Sequence, residues 1–266
     1  MKRFSLSTFA IIFTLAALSL AGCKENEPVP DTTSKTGTLD LEFEQRVGAA
    51  PLELSTRSYS TPSGDQFKIT TFRQYISNIK LTKADGTQYV LPESYYLLDA
   101  AVSTSKNLEL KDIPVDDYTG ITFTVGVDST RNVSGAQTGA LDPNNGMFWT
   151  WNSGYIYTKL EGTSPQAPHP AGTTEGGLVF HIGGFKSPNN TIRTVSPAFP
   201  GGTRLLIRPD HAPEIHLSVD VLKMFTGSTT VRFATLSNTM GGVNSVLVAN
   251  NYAQGGMFSV EHIHAN

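Results

Sequence analysis

Apolar and polar residues alternate along much of this chain. Asp40 and Glu42 separate Leu39, Leu41 and Phe43. Thr122, Thr124 and Gly126 separate Ile121, Phe123, Val125 and Val127. His216, Ser218 and Asp220 separate Ile215, Leu217, Val219 and Val221. A period of two is the mark of a strand with one buried face. Further strands are expected over 66–72, 75–82, 88–91, 95–99, 107–111, 155–161, 177–182, 203–208 and 256–264. Ala84-Asp85-Gly86-Thr87 lies between two of them, and Asp-Gly is a hairpin signal. Helical periodicity is scarce, with short helices expected only in 219–225 and 243–252. Many short strands punctuated by glycine and proline predict an all-β fold, an antiparallel β-sandwich with short helices in its loops.

The first 38 residues follow a different pattern. Lys2 and Arg3 precede an apolar run from Phe9 to Leu20, which ends in Leu20-Ala21-Gly22-Cys23. The run is short for a bilayer span, which needs about 20 apolar residues, and has the length of a signal-peptide core. The small residues before Cys23 resemble a bacterial lipobox. Residues 1–22 are therefore expected to be a lipoprotein signal peptide and Cys23 the lipidated residue. Residues 23–38 carry that cysteine and a polar, Pro/Thr/Ser-rich tether, and 39–266 form the β domain. Lys24, Glu25 and Glu27 resemble an acidic surface-export tag, although a solvated linker has the same composition. The expected location is the outer membrane or cell surface, with the lipid as the membrane contact.

Composition narrows the chemistry. Cys23 is the only cysteine, so the mature chain has no disulfide, no thiolate metal site and no cysteine nucleophile. A net charge of −3 with 16% charged residues gives no basic stripe for nucleic acid. No phosphate loop, metalloprotease helix or nucleophile elbow is present, and no enzyme is expected.

Histidines are then the main candidates. His262-Ile263-His264 closes a strand pattern on which Phe258, Val260, His262 and His264 would share one face. Two imidazoles at i and i+2 can close on one metal, and imidazole suits copper, zinc, nickel and iron. Met257 falls on the opposite face. His181 lies in the glycine-flanked segment Leu178-Val179-Phe180-His181-Ile182-Gly183-Gly184, and His216 is expected to be exposed on the polar face of its strand. His169 and His211 fall in loops. Asp128 is expected to make a turn, and Asp220 to be structural. Trp149 and Trp151, with Tyr155 and Tyr157, make an aromatic block that could fill a core or form a stacking platform for a glycan or protein partner.

Several segments together resemble the MbnP-like family of periplasmic or surface proteins, named after a methanobactin-associated periplasmic protein. They are RQYISNIKL, ITFTVGVDSTRN, GALDPNNGMFWTWNSGYIYTKLEG, FHIGG, IHLSVDV and MFSVEHIH, spread over residues 38–264. The resemblance implies a β-rich domain and a copper-associated function. It also implies copper ligands from histidines and from a kynurenine made from tryptophan by a di-haem, peroxidase-like partner. Carried onto this chain, the ligands would be His262 and His264 with His181 next, and the modified residue Trp149 or Trp151.

Overall fold

The alternating segment nearest the start of the folded chain forms strand β1 (Thr36–Val47), which buries Leu39, Leu41 and Phe43 and turns Asp40, Glu42 and Glu44 outward. The computed structural model describes residues 35–135, 137–149 and 154–264; the leader, Cys23 and Trp151 lie outside them. Residues from Ser34 onward form one compact unit. After β1 come β2 (Ala50–Pro51), β3 (Tyr59–Ser60), β4 (Gln66–Lys83), β5 (Gln88–Val90), β6 (Tyr95–Asp99), β7 (Asn107–Pro114) and β8 (Asp116–Val125). The second half holds β9 (Phe148–Trp149), β10 (Gly154–Ser164), β11 (Gly176–Gly183), β12 (Arg193–Val195), β13 (Leu205–Ile207), β14 (Glu214–Asp220), β15 (Asn238–Met240) and β16 (Phe258–His264). Two α-helices interrupt them, α1 (Ser129–Val133) and α2 (Gly242–Gln254). Among the described residues no helix is long and apolar enough to cross a membrane.

The strands make two sheets. The smaller has five strands in the order β16-β14-β1-β2, with β7 also on β1. The larger has eleven, along the path β12-β8-β4-β10-β11-β15. Their inner faces meet through aromatic side chains from both sides. Phe43 of β1 and Phe258 of β16 each set a ring against Phe123 of β8, edge to face, at 6.0 and 5.2 Å between centroids. Edge-to-face pairs of this kind add about 0.5–1.5 kcal/mol each beyond the area they bury.

A second, smaller core lies on the other face of the large sheet. Adjacent residues of a strand point to opposite faces, and on β4 Ile76 joins the main core whereas Tyr75 joins this one. The loop before β10 folds over that face, so Leu141, Met147 and Trp149 pack with Tyr75, Tyr155 and Tyr157. The aromatic block is thus a core. Tyr155 and Tyr157 are buried and Trp149 is only 5% exposed, which overturns the stacking platform for these three residues.

The all-β sandwich is as the alternation predicts, with three differences. Two pairings are parallel, β1 with β14 and β11 with β15, because long connections return the chain in the same direction. Residues 66–83 form one strand rather than two, kept continuous across a register shift near Asn78, whose φ is 52°. The first strand runs from Thr36 rather than from Leu39, since Thr36 pairs with Pro114 of β7. The helix expected at 243–252 is α2. That at 219–225 is a single 3-10 turn, Val221–Met224, capped by the Asp220 side chain.

The loop between β14 and β15 is fastened by one buried carboxylate. Asp65, 1% exposed, accepts hydrogen bonds from Arg232 Nη2 at 2.9 Å and from the Phe233 amide at 2.9 Å. Burial pushes its carboxyl up, but the Arg232 hydrogen bonds, the Phe233 amide and the Arg232 charge outweigh that and hold it below its ordinary value. A depressed carboxyl stabilises the fold above its unfolded value and loses that contribution as pH falls through the folded one. Asp65→Asn should therefore lower stability by about 1.5–3 kcal/mol near neutral pH. The difference from wild type should shrink below the ordinary aspartate range, as read from urea-unfolding midpoints against pH.

Gly183 carries the small core. A Cβ there would stand 2.4 Å from the Tyr155 carbonyl oxygen and 2.8 Å from the Trp149 ring. Gly183→Ala should destabilise the chain by about 1–3 kcal/mol and expose Trp149 to a neutral fluorescence quencher. Unchanged quenching would separate the glycine from the tryptophan's burial.

Candidate metal centre

On the outer face of the small sheet, three neighbouring strands bring polar side chains into a grid. β14 buries Ile215, Leu217 and Val219 and so must turn Glu214 and His216 outward. β1 runs parallel to it with Glu42 beside His216 and Asp40 beside Glu214. β16 runs antiparallel on the other side, with His262 opposite His216 and His264 opposite Glu214.

The histidines of β16 reach this face only through a bulge. Leu217 pairs with Val260 but His216 pairs with His262, which leaves Glu261 as an extra residue. An extra residue inverts the alternation beyond it. Phe258 and Val260 are buried, Ile263 is half-buried, and His262 and His264 are exposed. The histidines therefore do not share a face with Phe258 and Val260, as unbroken alternation predicts. Met257 is buried, with its sulfur 3.8 Å from the Gln74 amide nitrogen, and takes no part.

One ring nitrogen from each of His216, His262 and His264 lies within 4.8 Å of the others. The His216 and His262 rings stack at 4.2 Å between centroids, and His264 stands edge-on to both, at 4.8 and 4.2 Å. Glu42 sets the tautomer of His216. Its Oε2 lies 2.7 Å from Nδ1, and a carboxylate can only accept there. Nδ1 therefore carries a proton and donates it to Glu42. Nε2 is buried and has no hydrogen-bond partner, although Glu214 Oε2 lies 3.3 Å away. A metal-binding histidine commonly shows this arrangement, one nitrogen tied to a carboxylate and the other free to ligate. Glu42, Glu214 and His216 meet the same spatial criterion as the three histidines.

The surrounding field is negative. Burial, then the charges of Glu109 and Glu214, raise the Asp40 carboxyl above its ordinary value. Arg46 is the nearby cation, and it is engaged by Glu261 at 3.4 Å and the Ser218 hydroxyl at 3.2 Å.

The remaining candidates stand elsewhere. His181 is on β11 of the large sheet, its Nε2 2.8 Å from Glu161 Oε1. Burial lowers its pKa, and Glu161 offsets this only in part. It is two residues from Gly183, on the face that Trp149 covers. The structure thus brings His216, and not His181, beside His262 and His264. Trp149 borders a cleft of about 700 Å³ with Phe148, Phe185 and Lys186. Trp151 and Cys23 lie outside the described residues. His211 pairs with Asp210, and His169 is exposed in its loop. Asp128 caps α1 through the Arg131 amide and accepts a hydrogen bond from Tyr95 at 2.5 Å, and Asp220 binds the Gly48 amide.

Comparison with known proteins agrees on the family. A search of curated proteins finds no match. A solved structure, MbnP from Methylosinus trichosporium, superposes with a TM-score of 0.51 over 87% of this chain and 100% of that one, at 16% identity, a likeness of fold. The MbnP family model matches residues 36–245, a span that holds Glu42, His181, Glu214 and His216 but stops before His262 and His264. With most of its length inside that match, this chain belongs to the MbnP family.

Proposed function

We propose that this chain is a lipid-anchored, extracytoplasmic copper-binding protein that scavenges, buffers or delivers the metal, and that His216, His262 and His264 hold it. The observation that carries the reading is the convergence of three ring nitrogens within 4.8 Å on one exposed sheet face. The buried Nε2 of His216, which makes no hydrogen bond, supports it, because a polar atom removed from water without a partner is unfavourable. The donors suit copper: imidazoles with carboxylates close by, and no thiolate. Among divalent first-row metals copper has the highest affinity for such nitrogen and oxygen sites.

The histidines would bind the ion, and Glu42 would keep the His216 ring oriented. These are the tasks of a binding protein rather than a catalyst. The anchor rests on Cys23 and the leader, and exposure outside the cytoplasm follows from them. The kynurenine is a separate matter. Trp149 packs on Gly183 of the large sheet, away from the strands that carry the three histidines, so oxidation there would not supply them with a ligand. If either tryptophan is modified, a di-haem, peroxidase-like enzyme is the expected partner.

Copper stoichiometry on the Ser34–Asn266 unit tests the reading. Wild type should hold one tightly bound copper, and the His216→Ala, His262→Ala, His264→Ala triple variant none. A wild type no better than the triple variant would sink the proposal. Intact mass of the natively exported protein, above that of the lipidated sequence by the difference between one oxygen and one carbon, would mark a kynurenine.

Glu42→Ala frees the Nδ1 proton of His216 and should weaken copper by about 10–100-fold, the usual effect of removing a carboxylate behind a ligating histidine. Equilibrium dialysis against a competing chelator reads this directly, and an unchanged affinity would remove Glu42 from the site.

A further inference from the structure

We propose that Glu214 is a fourth ligand of this centre and makes it selective for divalent over monovalent copper; the proposal rests on the copper reading above. Three carboxylates approach the histidines, and the geometry distinguishes them. Glu42 is committed to Nδ1 of His216 at 2.7 Å. Glu261 is turned to Arg46 at 3.4 Å and the Ser259 hydroxyl at 3.1 Å. Glu214 is held by neither a lysine nor an arginine among the described residues, and its Oε2 lies 3.3 Å from the unpartnered Nε2 of His216.

Nε2 of His216 makes no hydrogen bond, and its 3.3 Å separation from Oε2 is the spacing of two donors that each stand about 2.0 Å from one ion at a tetrahedral angle. His264 pairs with Glu214 across the two strands, and the two groups of close ligand atoms, His216 with His262 and His264 and His216 with Glu42 and Glu214, share His216. An ion at His216 therefore has imidazoles on one side and the Glu214 carboxylate on the other.

The oxygen decides the charge state. Three neutral imidazoles accept either oxidation state of copper. A carboxylate is a hard, charged donor, and its attraction to an ion scales with the ion's charge, so it strengthens binding of the divalent ion more than of the monovalent one. Glu214 has about the shape of glutamine, so Glu214→Gln removes the charge while leaving the side chain's volume. The carboxylate is partly exposed on the sheet surface, outside the packed core.

The experiment compares wild type, Glu214→Gln and the triple histidine variant of the Ser34–Asn266 unit. Divalent copper affinity is measured by competition with nitrilotriacetate, and monovalent affinity by competition with bicinchoninate under a reductant. Electron paramagnetic resonance of the divalent form reports the donor set. Glu214→Gln should lose about tenfold or more in divalent affinity and keep its monovalent affinity. Each selective tenfold loss raises the copper potential by about 59 mV. The resonance should shift toward that of a more nitrogen-rich site. Equal losses for both ions, or an unchanged divalent affinity and spectrum, would overturn the assignment of Glu214 while leaving the histidine site in place. Wild type that binds neither ion above the triple variant would overturn both readings together.

Discussion

The contact on which the rest depends is the aromatic seam between the two sheets. Phe43 and Phe258 come from the first and last strands of the small sheet, and both press edge-on against Phe123 of the large one. That seam fixes which face of β1 and β16 is inside. Leu39, Leu41 and Phe43, with Ile215, Leu217 and Val219, occupy the inner face. Everything polar on β1, β14 and β16 must then appear on the outer one. The candidate centre is a consequence of the same constraint that makes the core, since burial of one alternate set presents the other as a row of carboxylates and imidazoles.

Much of this was legible in the alternation. Residues 39–43, 121–127 and 215–221 were readable as half-buried strands, and the Asp-Gly hairpin between β4 and β5 could be placed without a structure. Glu42 and His216 could be assigned to polar faces. What could not be read was register. Nothing local says that β1 pairs in parallel with β14, since such pairing is decided by long connections and by the core. His216 therefore looked like an ordinary exposed residue, and His181, between glycines, looked like the better third ligand. The bulge at Glu261 was equally hidden. Strict alternation put His262 and His264 on the same side as Phe258 and Val260, a side the core needs for apolar atoms. One extra residue resolves the conflict by turning Ile263 inward and both imidazoles out.

The family segments in turn explain the other half of the molecule. DPNNGMFWTW and FHIGG, far apart in the chain, meet where the Trp149 ring covers Gly183. Their glycine is a matter of space, since a side chain there would meet both a carbonyl and the indole. This small core lies on the outer face of the large sheet, while the histidines of β14 and β16 lie on the small sheet. Family segments thus lie in both layers, since IHLSVDV and MFSVEHIH carry His216, His262 and His264 on the small sheet, and the match to residues 36–245 takes in the first of these two.

The register of β14 between β1 and β16 has one more consequence. Glu42 and His264 stand on opposite flanks of the same strand although more than two hundred residues of chain separate them. No local segment holds the whole grid, and the long connections between its strands close only as the sandwich forms. An unfolded chain consequently has His262 and His264 as a pair of imidazoles without His216 or the carboxylates beside them. Occupancy and folding become one linked equilibrium: an ion that recognises only the finished grid stabilises it by mass action, about 2.7 kcal/mol at a hundredfold excess over its dissociation constant. Metal supply outside the cytoplasm would then be registered as persistence of the folded chain as well as a filled site.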